Sequence, residues 1–138
     1  MIKINRKMEY ALMALSGLQG THQQNIKTAR ELCSQYHIPF DTLSKVLQIL
    51  KSHQIVKSTK GAKGGYYLTT DLASITYLHL SQILEENINI VECHKEKCSL
   101  SSQCNIKKPM QNLNTLLDSF FSKLNLHQLF NDNQLREL

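Results

Sequence analysis

Near the start of the chain, apolar residues recur at three- and four-residue steps. Met8, Ala11, Leu12, Leu15 and Leu18 share one helical stripe over residues 4–19, and Gly20 follows as a stop. Glu9 lies at the boundary of that stripe. A polar stretch, 21–27, leads into Thr28-Ala29-Arg30-Glu31. There the threonine hydroxyl can accept an amide of the first turn while Glu31 reaches back. This capping box predicts a short helix to Tyr36 with Ala29, Leu32 and Cys33 inward, and Cys33 reads as a small core residue. Pro39 interrupts the pattern. A third helix, about 41–53, carries Leu43, Val46, Leu47 and Leu50 on one face and Thr42, Ser44, Lys45, Gln48 and Lys51 on the other.

Ile55–Thr59 and Tyr66–Thr70 then read as two strands, joined by the glycine-rich tip Lys60-Gly61-Ala62-Lys63-Gly64-Gly65. Two short helices, a tight turn and a basic hairpin predict a winged helix-turn-helix. Thr76 opens a further helix over about 76–86, with Leu80, Ile83 and Leu84 available for packing. Pro109 suits the first turn of a long final helix. Its stripe of Leu113, Leu116, Leu117, Phe120, Phe121 and Leu124 is too broad for a helix that projects from a small domain. A second copy of the chain is the economical cover, and packing back on its own domain is the alternative. Residues 126–138 carry no pattern that predicts an element. The expected architecture is therefore mainly α with a small β-hairpin wing. A winged-helix domain spans 1–86, a cysteine loop 87–108, and a dimerisation helix and tail 109–138.

Charge sharpens this reading. Residues 1–70 hold ten Lys/Arg against three Asp/Glu, and residues 71–138 hold six against eight, so the net +5 belongs to the first half. Such asymmetry favours an anionic partner, here double-stranded DNA. Thr42, Ser44, Lys45 and Gln48 are placed to meet base edges and phosphates. Lys57, Lys60 and Lys63, with Gly64, Gly65 and Tyr66, would bring the wing close to the backbone or minor groove. Thr28, at the head of the preceding helix, completes the expected interface. A nucleotide-binding loop is a poor alternative, because the glycine spacing is wrong and no helix follows. There is no convincing nucleophile–base pair, so an enzyme is not expected. With no membrane-length apolar run and no signal-peptide core, the expected location is cytoplasmic.

Three of the four cysteines, Cys93, Cys98 and Cys104, fall in a polar segment with the spacing C-x4-C-x5-C. Such a segment lacks the apolar matter for a core element, and three clustered soft ligands in a cytosolic chain suggest a metal or cluster more than disulfides. Redox thiols and a zinc site, which would suit a structural adaptor that does not bind DNA, remain open at this point.

Taken together these residues resemble the IscR/NsrR-type bacterial transcriptional regulators. The resemblance runs over roughly 1–128. It rests on Arg6-Lys7-Met8-Glu9-Tyr10-Ala11-Leu12, the helix-turn-helix ending in Leu50 to Lys57, and the wing Gly61-Ala62-Lys63-Gly64-Gly65-Tyr66. Ile75-Thr76, Val91-Glu92-Cys93 and the cysteine trio complete it. It implies a homodimeric winged-helix regulator whose operator binding responds to an iron–sulfur cluster, 2Fe–2S or 4Fe–4S, sensing iron or cluster supply, redox state or nitric oxide. By the resemblance Cys93, Cys98 and Cys104 are the protein's cluster ligands. IscR-like members take a histidine three residues after the last cysteine, where this chain has Lys107, a poor ligand. NsrR-like members take an acidic residue of the first helix from the partner subunit, and Glu9 matches that position, with His94, a thiol or water as alternatives. The glutamate with which IscR discriminates DNA sites is Ser44 here, so a switch of sequence preference is not implied. A regulator without a cluster, controlled by its thiols or by a partner protein, is the alternative.

Overall fold

The computed structural model describes residues 3–93 and 98–136. Its elements are α1 (Arg6–Gly17), α2 (Ala29–Tyr36), α3 (Phe40–Ser52), β1 (Val56–Thr59), β2 (Gly65–Leu68), a 3-10 turn (Leu72–Ser74), α4 (Tyr77–Ile83), α5 (Lys107–Lys123), α6 (Leu126–Phe130) and α7 (Asp132–Leu135). The mainly helical plan with one antiparallel hairpin is the one the pattern predicts.

Local side chains set the helix starts. Asn5 Oδ1 accepts the Met8 amide at 2.8 Å, so α1 begins at Arg6 rather than at residue 4. The capping box is present in full: Thr28 Oγ1 accepts from Glu31 N at 3.0 Å, and Glu31 Oε2 from Thr28 N at 2.6 Å. Thr76 Oγ1 accepts the His79 amide at 3.1 Å to open α4. That helix ends at Ile83, earlier than expected, because Glu85 turns left-handed (φ +55°). His37 (φ +55°) makes the matching turn between α2 and α3, and Ile38 behind it is buried.

Helices α1, α2 and α3 close on one core. Met8, Leu15, Leu18, Leu32, Leu43, Leu47 and Leu50 are fully buried there. Each such side chain contributes about 1.5–3 kcal/mol of burial, which outweighs the modest propensities of these short helices. Ile55 and Val56 extend the core under the hairpin, and Leu72, Ile75, Leu80 and Leu84 carry it to α4. Cys33 packs partly buried against it, and burial pushes its thiol up.

Two features depart from the pattern. Beyond α5 the chain does not trail off but returns to the winged domain. Tyr77 N donates to Leu124 O at 2.8 Å and Leu126 N to Ile75 O at 2.9 Å, pairing residues 124–126 with the entry to α4. Asn125 and Gln128 form a second capping box, and Leu126 is fully buried in the core. Five residues are too few for a periodic signal, and pairing with a segment distant in the chain leaves no local trace.

The stripe on the final helix also divides. Leu113, Leu117 and Phe121, four residues apart, are half-buried on the α4 side, where the Phe121 and Tyr77 rings lie 4.7 Å apart. Leu116 and Phe120 remain 67% and 48% exposed. Leu124, expected on the free stripe, lies past the helix end and is buried in its own chain.

Candidate nucleic-acid interface and cysteine loop

Burying Leu43, Val46, Leu47 and Leu50 fixes which side of α3 faces out. Lys45 and Gln48 stand exposed there, while Thr42 and Ser44 are half-buried at its margins. The exposed side also includes Phe40, Asp41 and Lys51. Phe40 and Asp41 form the first turn of the helix.

Helix α3 and the wing form one unit. Ile55 N donates to Leu50 O at 3.0 Å and Thr69 N to Ile55 O at 3.1 Å. The Thr69 and Thr70 hydroxyls both donate to the Gln54 carbonyl, at 2.8 and 3.1 Å. In the hairpin, Val56 lies opposite Leu68 and Thr59 opposite Gly65. Lys57, Lys60 and Lys63 are exposed along it. Among the described residues neither they nor Lys45 form an ion pair, so their charge is available to an anion.

Gly64 and Gly65, expected to admit a DNA backbone, have a reason for being glycine inside the fold. A Cβ on Gly65 would lie 2.7 Å from the Lys27 carbonyl oxygen, and one on Gly64 would overlap the Thr59 carbonyl. Tyr66 pairs with Lys27 in both directions, at 2.7 and 2.9 Å, which docks the wing on the entry to α2. Thr28 follows directly, its hydroxyl held by the cap. Only the tip around Gly61 (φ +108°), a conformation that favours glycine, is free of such packing.

The cysteine loop leaves and rejoins the fold at α5. Asn114 is the buried residue of that helix. Its Oδ1 accepts the Ile90 amide at 3.1 Å, and its Nδ2 donates to the Val91 carbonyl at 2.8 Å. Cys93 comes two residues after this latch, and Cys104 two residues before Ile106, the cap of α5. Cys93 and Cys104 are half-buried, Cys98 is exposed, and all four cysteines are free thiols. Residues 94–97, including His94, lie outside the described residues. Among the described residues no three His, Cys, Asp or Glu side chains are gathered closely enough to hold a metal ion. The Glu9 carboxylate takes the Arg6 guanidinium at 2.8 Å in the exposed first turn of α1. Lys107 begins α5.

The family model for Rrf2, described as iron-dependent transcriptional regulators, matches residues 4–132. This chain belongs to the Rrf2 family. A relative, the HTH-type transcriptional regulator NsrR of Geobacillus kaustophilus, is 24% identical over 131 residues, covering 93% of this chain and 87% of that protein. The fold is shared with two solved structures. IscR of T. potens is 18% identical with a TM-score of 0.70, over 99% of this chain and 91% of that one. CymR, titled the global cysteine regulator of B. subtilis, is 22% identical with a TM-score of 0.68, over 94% and 97%. As an Rrf2 member the chain is a transcriptional regulator. Among its described residues no helix is long and apolar enough to cross a membrane.

Within this Rrf2 chain, Asn114 and Glu86 were not legible as site residues. Asn114 is one polar residue on a helix that has many. Glu86 accepts the Asn5 amide at 2.9 Å across the fold. Neither role has a local signature.

Proposed function

We propose that this chain is a homodimeric transcriptional regulator whose operator affinity is set by an iron–sulfur cluster on Cys93, Cys98 and Cys104. The observation that carries the reading is the donor set: three thiols on one loop whose start is latched to α5 by Asn114 and whose end leads into that helix. Three thiolates fit such a cluster, which would supply a site sensitive to iron supply, oxidants or nitric oxide. Glu9, from the partner subunit, would serve as fourth ligand, with His94, a thiol or water as the alternatives. The exposed pair of Glu9 with Arg6 is weak enough to be exchanged. Lys45 and Gln48 of α3, with Thr42 and Ser44 beside them, would enter the major groove, and Lys57, Lys60 and Lys63 would meet phosphates. Leu116 and Phe120 would pack on the second copy. A change in the loop would then reach the spacing of the two recognition helices through Asn114 and α5, which requires two states of unequal DNA affinity.

Anaerobic purification with iron and sulfide analysis tests the cluster. The expected result is stoichiometric iron and sulfide with a visible chromophore, and loaded and stripped protein that bind a selected operator with different affinity at fixed salt. Colourless protein with zinc, or equal affinity in both states, would overturn cluster control. The second reading, a thiol- or partner-controlled regulator, draws on CymR, which shares the fold and is titled for cysteine. It predicts metal-free protein whose DNA binding responds to oxidant. On either reading, Lys45→Ala or Lys63→Ala lowers the salt slope of DNA binding by about one each, across all sequences.

A further inference from the structure

A cleft of about 430 Å³ opens between the N-terminal arm, α4, α5 and the segment entering the cysteine loop. Its walls are largely apolar: Ile4, Ile88, Ile90, Leu117, Phe121 and the Tyr77 ring. One carboxylate, Glu86, lies among them. Its Oε1 accepts the Asn5 amide at 2.9 Å, while its Oε2 is buried with no hydrogen-bond partner, the one side-chain atom so placed among the described residues. The residue as a whole is half-buried, and for its one enclosed oxygen without a donor a cationic donor is the strongest partner. Lys3 also lines the cleft but is exposed and forms no ion pair with Glu86.

We infer that this cleft is a binding site for a small amphipathic amine, its ammonium on Glu86 and its apolar body between Ile90, Leu117 and Phe121. Burial first, and the negative charge of Glu86 second, push the Tyr77 phenol up; that same field favours a cation. The exposed Leu116 and Phe120 lie on a neighbouring line of α5, and the Phe120 ring meets Phe121, a wall of the cleft, edge-on with centroids 5.5 Å apart. An occupant would touch both the cap of α1 through Glu86 and the 88–90 segment that Asn114 latches ahead of Cys93. The inference goes beyond the regulator reading and holds whether or not the loop carries a cluster.

The test uses the full-length, metal-free chain and three probes: 2-phenylethylammonium, neutral 2-phenylethanol and anionic 3-phenylpropionate, followed by amide chemical shifts. The ammonium should give saturable shifts at Asn5, Ile88 and Ile90 and bind about tenfold or more tightly than the alcohol, with the carboxylate weakest. Glu86→Gln keeps an acceptor for the Asn5 amide and should remove the preference for the ammonium. Leu117→Trp, filling the cleft, should abolish binding of both. Equal affinity of ammonium and alcohol for the native chain, or no shift of those amides at millimolar probe because water alone serves Glu86, overturns the assignment without recourse to any variant. DNA binding is measured on the same preparation, so failure of the cleft is distinguishable from failure of the regulator reading.

Discussion

Helices α3 and α5 are both amphipathic, thirteen and seventeen residues long, and they end in opposite conditions. In α3 the apolar side chains Leu43, Val46, Leu47 and Leu50 all lie in the protomer's own core, and what remains outside is mostly polar and basic. In α5 the buried residue is an asparagine, Leu113, Leu117 and Phe121 are half covered, and Leu116 and Phe120 face out. A helix whose apolar face is fully covered is fixed by its own chain and presents its polar side to something else. A helix with leftover apolar surface calls for a further surface to cover it. On the function proposed above, the first would meet DNA and the second a copy of itself.

The sharpest way to test that contrast is deletion of a side chain from each helix. Leu47→Ala should lower stability by about 2–5 kcal/mol in urea unfolding, while Leu116→Ala changes it by no more than about 0.5 kcal/mol at a concentration where chains are separate. Equal losses would mean that α5 is as much a core helix as α3. Next in size, Phe120→Asp would place an unpaired carboxylate in an interface between copies. Sedimentation should then show self-association weakened by at least about a hundredfold with the helical spectrum unchanged. A native chain that stays monomeric at high concentration breaks the comparison at this point.

Asn114→Ala probes how α5 is attached instead of apolar burial. Leaving the Ile90 amide and Val91 carbonyl unpaired should cost about 1–3 kcal/mol and speed hydrogen exchange at Ile90. Unchanged exchange would show that the loop start is held by something other than this latch. The smallest expected effect is at Tyr77, where α4 meets Phe121. Burial, then the Glu86 charge, raise its pKa in the fold above the unfolded value. Its contribution is therefore complete below the unfolded pKa and is lost as pH rises through the folded one. Tyr77→Phe should show a shallower alkaline fall in melting temperature than the native chain, the Cys33 part of that fall being common to both.

The sequence by itself determined whatever is encoded within a few neighbouring residues. The Thr28–Glu31 capping box, the 3–4 spacing of α1 and α3 and the glycine-rich hairpin each rest on contacts between residues close along the chain, so pattern and structure agree to within a residue or two. The exposed polar side of α3, with Lys45, Gln48 and Lys51, was legible for the same reason, since the spacing of its buried leucines and Val46 fixes it. Tertiary structure alone decided the rest. It returned Leu124 and Leu126 to the core by backbone pairing at Ile75 and Tyr77, divided the α5 stripe between two surfaces, and packed Gly65 against Lys27. It also set Asn114 under Ile90 and Val91 and left Glu86 with an unpartnered oxygen. Each of these depends on groups brought together from far apart in the chain, and a side chain's identity does not record what the fold will set opposite it.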